Sequence, residues 1–286
     1  MHAYIKLMKK ICWNNSQYLD SDIVIIGIPD ESKSHSLREG TSRAPDQIRK
    51  TSNLVDSYMR DEKKSIGLPT NGISKNVFDY GNIARDKIPQ TFEKIFFDSK
   101  IPVSIGGDHS MSSQIIKQLA QKSNKISLVY FDAHPDFITS TKNYHGSVFG
   151  DVLDCIEQET SVQIGIRTPE QEELDNLKKH QIHLITPFDI AEKSISKISQ
   201  KILDIIGDSV YVSFDMDCID PSHAPGVSVP VPMGISSVDA IYLLKKIVGK
   251  GILGMDLVEV CPTYDINNRT SHLASRMIGE VISSVK

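Results

Sequence analysis

The stretch Ser209-Val-Tyr-Val-Ser-Phe-Asp-Met-Asp217 decides the fold: an apolar run that ends in two aspartates. An apolar run of this length reads as a buried strand, and Asp215 and Asp217 fall at its C-terminal end. The same arrangement recurs. Ile126-Ser-Leu-Val-Tyr-Phe131 leads into Asp132-Ala-His-Pro-Asp136, and Val103-Ser-Ile-Gly-Gly-Asp108 leads into His109. A further strand over 252–257 is followed by Glu259.

Working outward, Ile23-Val-Ile-Ile26 is wholly apolar, as in a strand covered on both faces of a parallel sheet. Pro45 suits a first helical residue, with Ile48, Val55 and Met59 at helical spacing behind it. Residues 60–76, polar and containing Gly67, Pro69 and Gly72, read as a surface excursion. Val77-Phe78 reads as a short strand and Ile88 to Phe96 as a helix. Strands over 101–105, 126–131, 162–165, 182–185, 209–214 and 252–257 then alternate with helices over 110–122, 147–156, 170–180, 192–206, 236–248 and 271–284. This alternation predicts an α/β fold, a parallel sheet with helices on both faces, in one domain over 1–286; a closed barrel is the alternative.

In both arrangements ligands gather at the C-terminal ends of the strands. In extended chain, residues i and i+2 point the same way, so Asp132, His134 and Asp136 are expected to converge, and Asp215 with Asp217. With His109 this makes two imidazoles and four carboxylates. Four crowded carboxylates repel unless cations neutralise them. An oxygen-rich set without thiolate favours a hard divalent ion such as Mn²⁺ over zinc. Two such ions roughly 3.5 Å apart can acidify a shared water. Taken alone, Asp-x-His or Asp-x-Asp is more often a turn or a helix cap; their joint placement at three strand ends favours the metal site. His145 is a loop imidazole able to move protons near neutral pH, or merely an exposed histidine. Glu259, in an apolar setting, calls for a cationic partner: a substrate guanidinium or an internal arginine such as Arg276.

The chain has 286 residues, 40% hydrophobic and 24% charged, with a net charge of −4. No basic footprint points to nucleic acid, and no apolar run approaches the roughly 20 residues that span a bilayer. Met1 to Asn15, with lysines at 6, 9 and 10, lacks the apolar core of a signal peptide. Cys12, Cys155, Cys218 and Cys261 are widely spaced and read as reduced thiols of a cytoplasmic protein.

Four motifs in order, Ser104–Ser110, Phe131–Asp136, Ser213–Asp217 with Asp220-Pro221, and Asp256–Val260, resemble the ureohydrolases: arginases, agmatinases and formiminoglutamases. Arg38–Pro45 with Ile48-Arg49 is similar to that family's N-terminal Gly-x-Arg-x-x-Pro stretch. The resemblance implies a three-layer αβα fold around an eight-stranded parallel sheet and two Mn²⁺ ions per chain. One ion would take His109, Asp132, Asp136 and Asp215, the other Asp132, His134, Asp215 and Asp217. It implies that Asp136 orients a hydroxide, His145 protonates the leaving amine and Glu259 holds the guanidinium of a small substrate, giving urea. A homotrimer or homohexamer is expected on the same ground. The short 137–144 loop and Pro262-Thr-Tyr-Asp265 look like an agmatinase. Ala224-Pro-Gly-Val-Ser-Val-Pro230 looks more like archaeal agmatinase-type members or formiminoglutamases, and His223 and Lys142 are candidates near the substrate tail. Arginase, guanidinobutyrase and formiminoglutamase activities stay open. A single-zinc deacetylase of related fold would leave His109, Asp136 and Asp217 without purpose. A non-catalytic relative would not need all seven positions.

Overall fold

The computed structural model describes residues 9–55, 57–123 and 125–286; Lys6, one of the three lysines read above, lies outside them. The chain runs β1 (Ile23–Ile28), α1 (Ala44–Val55), β2 (Ser57–Arg60), β3 (Lys63–Ile66), β4 (Val77–Asn82), α2 (Ile88–Phe97), β5 (Ile101–Gly106), α3 (Met111–Ser123) and β6 (Ser127–Phe131). It continues with α4 (Val148–Asp151), β7 (Val162–Ile164), α5 (Gln171–His180), β8 (His183–Ile185), α6 (Pro187–Glu192) and α7 (Ile195–Ile205). Then come β9 (Val210–Asp215), α8 (Ser237–Val248), β10 (Gly254–Val258) and α9 (Arg269–Ile282).

Eight strands form one sheet in the order β4-β1-β5-β10-β9-β6-β7-β8, and every neighbouring pair is parallel. The sheet is open, with β4 and β8 at its edges, so the barrel closure does not occur. Alternate residues of β1 enter opposite cores. Ile23 and Ile25 belong to the core that contains Ile48, Ile202, Leu243 and Ile278, whereas Val24 and Ile26 belong to the one that contains Phe92 and Ile115. Both faces are therefore covered by helices, the three-layer αβα arrangement, which explains why these strands lack polar alternation. Strands β9 and β10, late in the chain, insert between β5 and β6. That insertion sets the four polar strand ends side by side at the centre of the C-terminal edge.

Three elements differ from the sequence reading. Residues 57–66 form the antiparallel hairpin β2–β3, so Met59 lies on an exposed strand rather than on a helix. Its turn residues Asp61 and Glu62 take φ of 49° and 63°, the left-handed values of a tight hairpin turn, and no buried face betrays it in sequence. The helix expected over 147–156 is only α4 flanked by 3₁₀ turns. There the Phe149 N–H donates to the Asp136 carbonyl at 3.0 Å, so a donor is spent on the neighbouring loop. The helix expected over 192–206 is present as α7, but a short helix that the sequence reading did not expect, α6, precedes it. A capping box of Thr186 and Asp189, with Pro187 at the first turn, starts α6, and Ser194 caps α7. Among the described residues, no helix is long and apolar enough to cross a membrane.

Candidate metal centre and active site

His109 sits just past β5 because the backbone turns sharply over Gly107. A Cβ on Gly107 would stand 2.0 Å from the Asp30 carbonyl oxygen, to which the Asp108 N–H donates. The His109 ring is 1% exposed and stacks flat on Tyr130 at 4.7 Å between centroids. Its Nδ1 faces Asp132 Oδ2 at 3.1 Å, Asp215 Oδ2 at 3.2 Å and Asp136 Oδ2 at 3.3 Å. Its Nε2 lies 2.8 Å from Ser213 Oγ, whose hydroxyl donates to Asp256 Oδ1. Tyr211 also donates to Asp256, at 2.7 Å. Ser213 has one proton to give and gives it to Asp256, so it accepts from His109 Nε2–H. In the neutral ring Nδ1 is then a bare lone pair aimed at three carboxylates, the tautomer a metal ligand requires.

On the other side, His134 Nδ1 lies 3.1 Å from Asp217 Oδ2 and 3.3 Å from Asp132 Oδ1. Two groups of ligand atoms could each hold an ion: His109, Asp132 and Asp136, and Asp132, His134 and Asp217. Asp132 belongs to both, and Asp215 abuts the first. All six expected residues are thus together, but not by extended-chain alternation. β6 ends at Phe131, and Asp136 reaches inward from a left-handed backbone, φ 47°. Asp217 lies in a 3₁₀ turn capped by Asp215, whose Oδ1 accepts from the Asp217 N–H at 2.7 Å. Turns place these side chains more closely than a strand could.

The cluster fits a cation better than it fits itself. Asp132 Oδ2 is buried and, although 3.1 Å from His109 Nδ1, accepts no hydrogen bond. One ring nitrogen cannot serve three carboxylate oxygens, whereas one divalent ion can. Burial, with Asp136 and Asp217 nearby, pushes the Asp132 carboxyl up to about 7. Burial also pushes Asp215 well up. For His134, burial favours the neutral ring, but Asp217 and Asp132 outweigh it and raise the imidazole to about 12. His109 is likewise raised well above its usual value by Asp132, Asp136 and Asp215 against burial. At neutral pH the metal-free cluster therefore holds protons that metal must displace. Raised values mean protonation persists through neutrality, so metal affinity rises with pH across pH 6–8. Loading Mn²⁺ should release about two protons or more per chain. Calorimetry in two buffers of different ionisation enthalpy measures this, and a heat independent of buffer refutes it.

Glu259 follows β10 in a left-handed conformation, φ 64°, and is 2% exposed. Its Oε1 accepts from the His109 N–H at 2.8 Å and its Oε2 from the Ser228 hydroxyl. Arg276 pairs instead with Glu280, so it is not the partner of Glu259. His145 Nδ1 stands 3.8 Å from Glu259 Oε1, and its backbone N–H donates to Lys33 O. Burial favours the neutral His145 ring, but Glu259 outweighs it and raises its pKa. Tyr144 stacks on His35 at 4.7 Å, and the His145 ring lies edge-on to both.

A cavity of about 590 Å³ opens above the cluster, and its lining includes Asp136, Glu170, Glu173, Asp215, Asp217 and Glu259 but no lysine or arginine. Lys142 is exposed and outside this lining, and His223 is exposed and bonded to Ser237 Oγ. Sequence reasoning missed His35, Tyr130, Ser213 and Asp256 as site residues, and also Arg167. The Arg167 guanidinium donates to the carbonyls of Asp217 and Val231 and so pins the loop after β9.

A sequence model of the arginase family matches residues 21–283. The chain is 34% identical over 264 residues to an agmatinase of Neisseria meningitidis, covering 88% of this chain and 83% of that one. It is 30% identical over 281 residues to a guanidinobutyrase of Pseudomonas aeruginosa, covering 91% and 85%. The crystal structure of the agmatine ureohydrolase of Thermoplasma volcanium superposes with a TM-score of 0.84 at 30% identity, over 98% of this chain and 95% of that one. With the match spanning the sheet and every strand end described above, the chain belongs to the arginase family, as a ureohydrolase acting on C–N bonds of linear amidines.

Proposed function

We propose that this chain is an agmatinase, one catalytic domain that hydrolyses agmatine to putrescine and urea. The observation that carries the substrate is the cavity lining beyond the ion ligands and Glu259, where Glu170 and Glu173 stand and no lysine or arginine does. Agmatine carries a guanidinium at one end, which Glu259 would receive, and an ammonium at the other, which Glu170 and Glu173 would attract. A carboxylated tail would meet like charge there.

In this reading, His109, Asp132, Asp136 and Asp215 would hold one Mn²⁺, and Asp132, His134, Asp215 and Asp217 a second. Bound there, the pair would supply water acidified to near neutrality. The protein does the rest. Glu259 receives the guanidinium on its two oxygens and presents the central carbon to the cluster. Asp136, held by the Tyr130 hydroxyl at 2.6 Å, accepts a hydrogen bond from the attacking oxygen and fixes its approach. His145, favoured in its charged form by Glu259, hands its proton to the leaving amine. The four free cysteines accord with a cytoplasmic setting.

The test is urea release by the Mn²⁺-loaded protein with agmatine, arginine and guanidinobutyrate side by side. The expected kcat/KM for agmatine exceeds the others by at least about tenfold, since one misplaced tail charge costs on the order of 1.4 kcal/mol or more. Similarity to the guanidinobutyrase gives the second reading, and a preference for guanidinobutyrate would select it.

A further inference from the structure

The 224–230 loop has no part in the reaction as described, yet it is fastened closely to Glu259. Val227 bridges Val260, and the Cys261 N–H donates to Gly226 O at 2.7 Å. Gly226 N–H donates to Thr270 Oγ1 at 2.8 Å. From the other side, Arg38 Nη1 donates to Val227 O and Ser36 Oγ to Ser228 O. Ser228 is thereby held 4% exposed, with its hydroxyl on Glu259 Oε2.

A glutamate's terminal torsion is broad and roughly two-fold, so rotamer preference does not fix the carboxylate plane. Hydrogen bonds must do so. A carboxylate offers about four lone-pair sites. Here the His109 N–H takes one on Oε1 and Ser228 one on Oε2, which leaves one on each oxygen. Two parallel acceptors, one per oxygen, are what a guanidinium fork requires. We infer that Ser228 is a positioning residue that sets the plane of the Glu259 carboxylate for guanidinium binding. The inference rests on the reading that Glu259 holds the guanidinium.

The experiment compares wild type, Ser228→Ala, Ser228→Thr and Glu259→Gln as Mn²⁺-loaded full chains. Ser228→Ala should lose about 10–100-fold in kcat/KM, mainly through KM, because a hydrogen bond to a charged group is lost. Bound Mn²⁺ and Tm should stay near wild type. Ser228→Thr, which keeps the hydroxyl, should recover most of the loss. Guanidinium chloride, titrated calorimetrically, gives a readout without turnover: Ser228→Ala should bind it about tenfold or more weakly. Ser228→Ala with unchanged KM and unchanged guanidinium binding overturns the inference, as does a Thr variant no better than Ala. If wild type and Glu259→Gln handle guanidinium alike, the underlying Glu259 reading fails instead. A crystal structure of Ser228→Ala then decides the positioning role alone: a Glu259 carboxylate that keeps its plane refutes it, and a rotated one upholds it.

Discussion

Glu259→Gln should retain its metal and fold yet lose about 10²–10⁴-fold in kcat/KM for a guanidino substrate. Glu259 lies outside both groups of residues that could hold an ion, so metal content should not change. The substitution is also gentle on the fold. The glutamine carbonyl can still accept from the His109 N–H, and the Ser228 hydroxyl can turn to accept from the new amide. What disappears is one negative charge and one acceptor facing the cavity. A guanidinium fork then meets an NH₂ group, donor against donor. Two charge-assisted hydrogen bonds at about 1.5–3 kcal/mol each set the expected range. Metal analysis, thermal denaturation and steady-state kinetics check the three parts separately. A kcat/KM within about threefold of wild type, below the loss of even one such bond, would mean that the guanidinium does not sit on Glu259.

The split between what the sequence discloses and what it hides follows a physical line. Strands such as Ile23–Ile28 and Val210–Asp215 are legible because burial on both faces leaves unbroken apolar runs. Their spatial order is not legible: β5 pairs with β10, about 150 residues downstream, and no local pattern encodes that pairing. The metal-site candidates are legible because aspartate and histidine at strand ends contradict the apolar runs before them. Their supports are hidden for the opposite reason. Tyr130, Ser213 and Asp256 lie within those runs and look like core or small filler residues, although they hold His109 and Asp136 in place. The left-handed backbones of Asp136 and Glu259 are equally silent, since neither is glycine. Such conformations persist where surrounding contacts over-determine them, as the Glu259 N–H to Gly107 O bond does here. His35 is exposed and distant in sequence from Tyr144, and only the fold brings the two rings together.

Asp132→Asn should abolish activity and reduce bound metal from two ions per chain to one or none, while leaving the metal-free protein as stable as wild type or more so. Asp132 belongs to both groups of ligand atoms that could hold an ion, and with Asp215 it is one of the two ligands shared in the reading above, so the change withdraws charge from both sites. The amide fits the space. Its oxygen can accept from the His134 N–H, as Asp132 Oδ1 does at 2.6 Å. The opposite sign for the metal-free form follows from proton linkage. Burial and the neighbouring carboxylates raise Asp132 to about 7, above its unfolded value. A carboxyl raised on folding destabilises the fold increasingly as pH rises from the unfolded value, and fully above the folded one. At pH 8 the wild-type metal-free protein therefore bears this penalty and the asparagine variant does not. Metal reverses the order, because ions that bind only the folded state stabilise it by mass action. Wild type should gain on the order of 5 °C in Tm at saturating Mn²⁺, and the variant little. Paired denaturation scans with chelator and with Mn²⁺ read both signs at once. An asparagine variant that keeps two ions and the full thermal gain would show that Asp132 does not bridge the sites.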